Sequence, residues 1–141
     1  MKCQSARDKL INENNLEIIM ERPRILVAED EEVIRSMIED YLGGQYEVIA
    51  FEDGVQAWEY AEKEHIDLLL TDFNMPRMNG LELALKIKHE LPCPVPVIIQ
   101  TSEYEEAQEM LLENIAEAYL AKPYKLKELK KVVASALGKN A

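Results

Sequence analysis

LLLTDFNMP, residues 68–76, is a short aliphatic run that ends abruptly at an acid. Aliphatic residues without polar alternation are typical of a strand buried on both faces, as in parallel sheets that helices cover on both sides. Asp72 would then stand at the carboxyl end of a central strand. Open α/β sheets bind ligands just outside the carboxyl ends of their strands, so Asp72 is a candidate functional residue. An aspartate that caps a helix or a turn is the alternative interpretation.

Short apolar runs recur along the chain and alternate with amphipathic segments. We predict five strands, at residues 25–28, 46–51, 66–71, 97–100 and 118–121. Five strands alternating with five helices predict an α/β fold with a doubly wound, five-stranded parallel sheet. Right-handed crossovers in the flavodoxin-like order 2-1-3-4-5 would place the first and third strands on either side of the ligand-binding switch point.

The predicted helices have their own apolar faces and start signals. The first helix would carry one apolar face, formed by Val33, Ile34, Met37, Ile38, Tyr41 and Leu42. The spacing of Asn79 and Glu82 is that of a capping box, and so is the spacing of Ser102 and Glu105. We therefore expect a helix to begin at each of these two places.

The predicted strand order gathers polar residues at one edge of the sheet. Glu29 and Asp30 follow the first strand and Asp72 ends the third, so these three carboxylates would converge in one crevice. Thr101 and Lys122 end the fourth and fifth strands and would line the same edge. Clustered carboxylates repel one another unless their pKa values rise or a cation neutralises them. A divalent cation is therefore expected.

Mg²⁺ is the cation that this donor set favours. All of the ligands would be oxygens, and few carboxylates would bind directly, which leaves coordination places for water and a phosphoryl group. Zinc is disfavoured because neither His65 nor His89 is expected near the crevice.

These residue types suit phosphoryl transfer. An aspartate can attack phosphorus to form an acyl phosphate, and Asp72 would be this nucleophile. A metal ion and the Lys122 ammonium would neutralise charge on the phosphoryl oxygens, while the Thr101 hydroxyl donates a hydrogen bond. No general base is needed, because an aspartate with its ordinary pKa of about 3.9 is already ionised at pH 7.

The composition limits the chain to a few classes of protein. It has 141 residues, 48% of them hydrophobic, and a net charge of -11, which indicates one folded domain and disfavours nucleic acid or a membrane as partner. The start of the chain lacks the apolar segment of a secretory signal, and we expect a cytoplasmic protein. Residues 1–22 form an N-terminal tail or linker of unassigned role, and residues 23–141 form the domain.

From residue 24 to residue 137 the chain resembles the receiver domains of two-component response regulators. The resemblance rests on motifs at every strand end: ILVAEDE at 25–31, DFNMP at 72–76 followed by Asn79-Gly80, Thr101-Ser102, and YLAKP at 119–123. Each motif is weak alone, but their order and spacing together are highly specific. The acidic pair departs slightly from the family pattern, because Glu29 stands where an aspartate is also common.

The resemblance implies roles for the residues of the crevice. Asp72 would accept a phosphoryl group from a phosphohistidine. Mg²⁺ would be bound by Asp30, Asp72 and the backbone carbonyl of Asn74, with Glu29 acting through water.

The resemblance also implies a switch. Thr101 and Lys122 would contact the phosphoryl oxygens, and Tyr119 would swing inward as Thr101 moves. The Lys122-Pro123 peptide bond is expected to be cis. The altered surface would be the one formed by the fourth helix, the fifth strand and the fifth helix.

The function expected from this resemblance is that of a stand-alone receiver. The protein would be a signalling phosphoacceptor rather than an enzyme with turnover, although it would assist its own phosphorylation and dephosphorylation. Its partners would be a histidine kinase or histidine phosphotransfer protein and a downstream protein target, and phosphorylation could drive dimer formation through the switch surface.

Several other functions are compatible with parts of the sequence. The chain could be a receiver excised from a hybrid histidine kinase, with residues 1–22 as linker. An aspartyl-phosphate hydrolase of the haloacid dehalogenase type would carry a second aspartate two positions after the nucleophile, where this chain has Asn74. A nucleotide or flavin binder conflicts with the acidic loop at residues 29–32. An inactive receiver that serves only protein contacts conflicts with the complete residue set.

Overall fold

In a computed structural model, the described residues are 9–12, 17–20 and 22–138. The elements along the chain are β1 (Lys9–Asn12), β2 (Glu17–Met20), β3 (Arg24–Ala28), α1 (Glu32–Leu42), β4 (Glu47–Phe51), α2 (Gly54–Lys63), β5 (Leu68–Asp72), α3 (Gly80–Glu90), β6 (Val97–Thr101), α4 (Tyr104–Leu112), β7 (Ala118–Ala121) and α5 (Leu126–Gly138).

Five parallel strands form the main sheet in the order β4-β3-β5-β6-β7. Counted by themselves along the chain, these strands have the order 2-1-3-4-5, which confirms the predicted flavodoxin-like topology. Strands β1 and β2 pair antiparallel in a separate two-stranded sheet within the predicted tail. The division into a tail of residues 1–22 and a domain of residues 23–141 stays a prediction.

The central strand β5 is buried along its whole length, as its sequence predicts. Leu69 packs in the layer that includes Trp58 and Leu83 from α2 and α3. Leu68 and Leu70 pack in the opposite layer, which α1 and α5 cover. Successive side chains of a strand point to opposite faces, so an unbroken aliphatic run is what two covered faces require.

The predicted face of α1 is only partly buried. Ile38 and Leu42 are buried, whereas Val33 is 72% exposed and Met37 is 47% exposed. The predicted apolar face is therefore buried only along the row that includes Ile38 and Leu42. A helix turns by about 100° per residue, so Val33 and Met37 lie one step around the helix from the row that contacts the sheet.

The two predicted capping boxes had different outcomes. Asn79 and Glu82 form both reciprocal hydrogen bonds at the start of α3, which confirms the first. The second is wrong, because α4 begins at Tyr104 and its cap residue has no side-chain cap bond. The backbone N–H of Glu103 instead donates to the Thr101 hydroxyl at 3.0 Å, which extends the preceding turn.

Candidate functional site

Three carboxylates converge at the carboxyl edge of the sheet. One oxygen each from Glu29, Asp30 and Asp72 lie within 4.8 Å of one another. Strands β3 and β5 are paired neighbours in which Ala28 stands opposite Thr71, so the residues that follow them meet at the same level. The predicted convergence is confirmed.

The Lys122 ammonium bridges two of these carboxylates. Its Nζ lies 3.1 Å from Glu29 Oε1 and 3.2 Å from Asp72 Oδ1. Lys122 directly follows β7, and its backbone N–H donates to the carbonyl of Thr101 at the end of β6. The peptide bond from Lys122 to Pro123 is cis, as expected.

Burial and mutual repulsion perturb the ionisation of the cluster. Burial, with a contribution from the Asp72 charge, raises the pKa of Glu29 to about 7. Burial and the Asp30 charge also raise the pKa of Asp72, although Lys122 opposes this rise. Burial alone would lower the pKa of Lys122, but the Glu29 and Asp72 carboxylates outweigh burial and raise it. A single ammonium therefore does not neutralise the cluster, and the arrangement favours a further cation.

Glu29 is fully buried, and both of its carboxylate oxygens accept hydrogen bonds. Its Oε2 accepts the backbone N–H of Glu31 at 3.0 Å. Its Oε1 accepts from Lys122 and also from the side-chain amide of Gln100, whose Nε2 lies 2.8 Å away. The Tyr124 hydroxyl donates to the other end of the same amide, at Gln100 Oε1.

Thr101 and Tyr119, the predicted switch residues, lie on the neighbouring strands β6 and β7. Thr101 is buried, and its hydroxyl oxygen accepts the Glu103 N–H. Tyr119 is half-buried and packs edge-on against Tyr104, with ring centroids 5.9 Å apart. Any inward movement of Tyr119 would have to break this aromatic contact.

The loop after Asp72 is held by local contacts. Asn74 is exposed in this loop, and Gly80 closes it by donating its N–H to the Phe73 carbonyl at 2.7 Å. A Cβ at Gly80 would lie 2.2 Å from the Asp72 carbonyl oxygen, so only glycine fits there. The loop therefore approaches the backbone of the candidate nucleophile directly.

An ion pair ties the same loop to the start of α2. Arg77, whose φ is 67°, donates from Nη2 to Asp53 Oδ2 at 2.6 Å. Burial alone would raise the pKa of Asp53, but the backbone N–H of Gln56 and the Arg77 guanidinium outweigh burial and lower it. The carboxylate of Asp53 also caps α2.

The sequence pattern of the response regulator receiver domain family matches residues 25–134. The chain belongs to this family. Receivers are signalling components of two-component systems, and the match runs from the second residue of β3 into the last helix, α5.

Two curated relatives illustrate where this receiver type occurs. A chemotaxis protein CheY homolog of Campylobacter jejuni is 35% identical over 120 residues, which cover 82% of this chain and 92% of the relative. The autoinducer 1 sensor kinase/phosphatase LuxN of Vibrio harveyi is 32% identical over 128 residues, which cover 89% of this chain but 15% of that protein. Receivers similar to this one thus occur both as small proteins and inside sensor kinases.

A solved receiver structure contains the metal that the acidic cluster favours. The receiver domain of the sensor histidine kinase PA1611 of Pseudomonas aeruginosa is 32% identical, with a TM-score of 0.74 over 83% of this chain and 98% of that chain. That structure has a magnesium ion coordinated in its active site cleft.

Gln100 and Tyr124 of this receiver were not among the predicted site residues. The available signal was the change from aliphatic residues to an amide at the end of the run VIIQ, directly before Thr101. The apolar run predicted that Gln100 belongs to a buried strand, but it does not indicate which acceptor the buried amide meets.

Proposed function

We propose that the protein accepts a phosphoryl group from a phosphohistidine onto Asp72 and transmits the signal through a change of its surface. The observation that carries this proposal is the bridge from the Lys122 ammonium to the Asp72 and Glu29 carboxylates, within 3.2 Å of each. A cation thus already stands beside the carboxylate that would become phosphorylated. An inactive receiver would have no need for this arrangement.

The residues of the cluster fit a magnesium ion. Asp30, Asp72 and the backbone carbonyl of Asn74 would hold it, and Glu29 would act through water. Three carboxylates around one ammonium leave excess negative charge, and hard oxygen donors are the ligands that Mg²⁺ takes. When bound, the ion supplies neutralisation of the negative charge on the phosphoryl oxygens.

The chain's own residues account for the chemistry of transfer. An Asp72 oxygen attacks the phosphorus, the bond from phosphorus to the histidine nitrogen breaks, and the imidazole departs with the electron pair and gains a proton. Lys122 moves from its carboxylate partners onto the phosphoryl oxygens. The Thr101 oxygen already accepts a hydrogen bond from Glu103, so its own hydrogen is available for donation to the phosphoryl group.

Thr101 would also relay the signal. When its hydroxyl turns toward the phosphoryl group, the space beside β6 changes and Tyr119 would leave Tyr104 and move inward. The surface formed by α4, β7 and α5 already exposes Tyr104 by 56% and Leu112 by 77%. This surface would contact the downstream protein target or a second copy of the chain in a phosphorylation-dependent dimer.

The phosphoryl donor would be a histidine kinase or a histidine phosphotransfer protein. Beside Lys122, a groove of about 420 Å³ is lined by the apolar side chains of Ile34, Met37 and Leu126. Val33, one helical turn before Met37 on α1, is also exposed. An apolar surface that includes Lys122, a contact of Asp72, suits a protein donor better than a nucleic acid, which the net charge of -11 repels.

The proposal also covers where the protein acts and how its chain is organised. No helix among residues 22–138 is long and apolar enough to cross a membrane. We propose a cytoplasmic receiver in which residues 23–141 form the domain and residues 1–22 are a tail. The alternative is a receiver that belongs to a hybrid kinase, because kinases such as LuxN contain a similar segment.

The test is intact mass after incubation with acetyl phosphate, for the wild type, Asp72→Asn and the matched surface control Asp40→Asn. We expect one phosphoryl adduct in the wild type and the control when Mg²⁺ is present, none in Asp72→Asn, and loss of the adduct in hydroxylamine. If Asp72→Asn is phosphorylated as much as the wild type, the phosphoacceptor is a residue other than Asp72.

A short-lived adduct is tested with beryllofluoride, an analogue that does not hydrolyse. Binding of beryllofluoride without a detectable adduct would favour rapid hydrolysis of the aspartyl phosphate. If the protein binds neither Mg²⁺ nor beryllofluoride, the proposed phosphoacceptor function is overturned.

A further inference from the structure

Gln100 brings a fully buried amide into the acidic cluster. It stands opposite Asp72 in the register of β5 and β6, and its relative exposure is 0%. Its Nε2 donates to Glu29 Oε1 at 2.8 Å, and its Oε1 accepts from the Tyr124 hydroxyl. Both polar ends of this side chain are therefore hydrogen-bonded, and the nitrogen end is bonded to Glu29, a residue of the proposed metal site.

The Glu29 carboxylate needs such a donor. It is fully buried, and the Asp72 charge lies beside it. A buried carboxylate is costly unless donors satisfy its lone pairs, and the Lys122 donor is shared with Asp72. The Gln100 amide on β6 supplies this hydrogen bond without carrying a charge. Lys122 is therefore not the sole donor to Glu29 Oε1.

Glu29 and Tyr124 together fix the direction of the amide, because the carboxylate only accepts hydrogen bonds and the hydroxyl is free to donate. A glutamine side chain can rotate to exchange its oxygen and nitrogen, and only one orientation presents Nε2 to a carboxylate. The Tyr124 hydroxyl donates to the oxygen end, which leaves the nitrogen end facing Glu29. Tyr124 follows the cis Lys122-Pro123 bond, so one short segment supplies both Lys122 and the residue that orients Gln100.

We infer that Gln100 and Tyr124 are positioning residues that hold the Glu29 carboxylate in place for the divalent cation. This inference rests on the proposed function, because it concerns how the same acidic cluster binds Mg²⁺. Hydrogen-bonded partners behind direct metal ligands orient those ligands, and their loss typically weakens metal binding by about tenfold or more. Because Glu29 would act through water, we expect a smaller effect when its partners are lost.

The first experiment is calorimetric titration of Mg²⁺ into the wild type, Gln100→Leu, Tyr124→Phe and the control Ile98→Val, which lies on the same strand but packs in the core layer. We expect Gln100→Leu to weaken Mg²⁺ binding about fivefold, Tyr124→Phe to weaken it about threefold, and the control to bind within twofold of the wild type. Because Tyr124→Phe removes one oxygen only, it tests the inference even if Gln100→Leu fails to fold.

A double-mutant cycle separates positioning from general damage to the structure. If Gln100 acts through Glu29, then Gln100→Leu has little further effect on Mg²⁺ affinity in a Glu29→Gln background. An equal loss in both backgrounds, or Mg²⁺ affinities of Gln100→Leu and Tyr124→Phe within twofold of the wild type, would overturn the inference.

A metal-free measurement keeps this inference distinguishable from the proposed function. In EDTA, the side-chain amide resonance of Gln100 should move upfield and exchange faster with water in Glu29→Ala, because its acceptor is gone. If the chemical shift and the exchange rate of this amide do not change in Glu29→Ala, the contact between Gln100 and Glu29 is refuted, independently of Mg²⁺ binding. A wild type that binds no Mg²⁺ refutes the proposed function, and this resonance then decides whether Gln100 positions Glu29.

Discussion

Replacing the proposed phosphoacceptor should stabilise the metal-free protein. In Asp72→Asn the side chain keeps its shape but loses its charge, and with it the repulsion from Glu29 and Asp30 and the attraction to Lys122. The raised pKa of Asp72, caused first by burial and then by the Asp30 charge, means that the ionised form costs folding free energy. The neutral variant should therefore unfold less readily than the wild type at alkaline pH.

The distances give the size of the effect. With an effective dielectric constant of about 20, attraction across 3.2 Å to Lys122 is about 5 kcal/mol, and each repulsion across at most 4.8 Å is at least about 3.5 kcal/mol. Two repulsions exceed the one attraction by about 2 kcal/mol at low salt. We therefore expect the free energy of unfolding of Asp72→Asn to exceed that of the wild type by about 2 kcal/mol at pH 8.5.

The gain should depend on pH through Glu29. Its pKa rises from 4.5 to about 7 in the folded wild type, so the wild type loses stability as the pH rises through this range and Glu29 ionises. Between pH 5.5 and pH 7 this loss is at most about 2 kcal/mol, at about 1.36 kcal/mol per pH unit. At pH 5.5, where Glu29 is protonated, only the repulsion from Asp30 opposes the attraction to Lys122, so Asp72→Asn should be less stable than the wild type by about 1.5 kcal/mol.

The assay is urea unfolding in EDTA at pH 5.5 and pH 8.5, with Asp40→Asn as a control for the loss of one surface charge from an acidic protein. Addition of Mg²⁺ should then stabilise the wild type by about 2.7 kcal/mol at a hundredfold excess over Kd and leave Asp72→Asn little changed. A variant that is less stable than the wild type at pH 8.5, or a control with the same gain, would refute the reasoning.

Three further predictions concern stability and are measured by urea unfolding. Arg77→Ala should cost about 1 kcal/mol from pH 7 to pH 5, as expected for a half-exposed ion pair. Because the pKa of Asp53 is lowered below its ordinary 3.8, this cost should fade only as the pH falls below that value and the carboxylate is protonated. Asn79→Ala should cost about 1 kcal/mol, whereas Ser102→Ala should be neutral because its predicted cap is not formed. Leu70→Ala should cost about 3 kcal/mol and Val33→Ala less than about 0.5 kcal/mol, since only Leu70 is buried.

Local sequence patterns were enough to predict the strand positions and, once the order 2-1-3-4-5 was assumed from the five-fold alternation, the convergence of Asp72 with Glu29 and Asp30. These depend on local patterns: an aliphatic run marks a strand covered on both faces, and an acid directly after it must lie at the carboxyl edge. The capping box of Asn79 was equally predictable, because its two hydrogen bonds join residues three apart.

The surroundings of those residues depend on how the helices and strands pack together. Gln100 meets Glu29 from 71 positions away, and no local pattern specifies which buried acceptor an amide will reach. The exposure of Val33 likewise depends on how α1 is rotated against the sheet, and the raised pKa of Glu29 depends on what covers it. Burial and long-range contacts are properties of the packed elements together, so a pattern within one element predicts its position but not its environment.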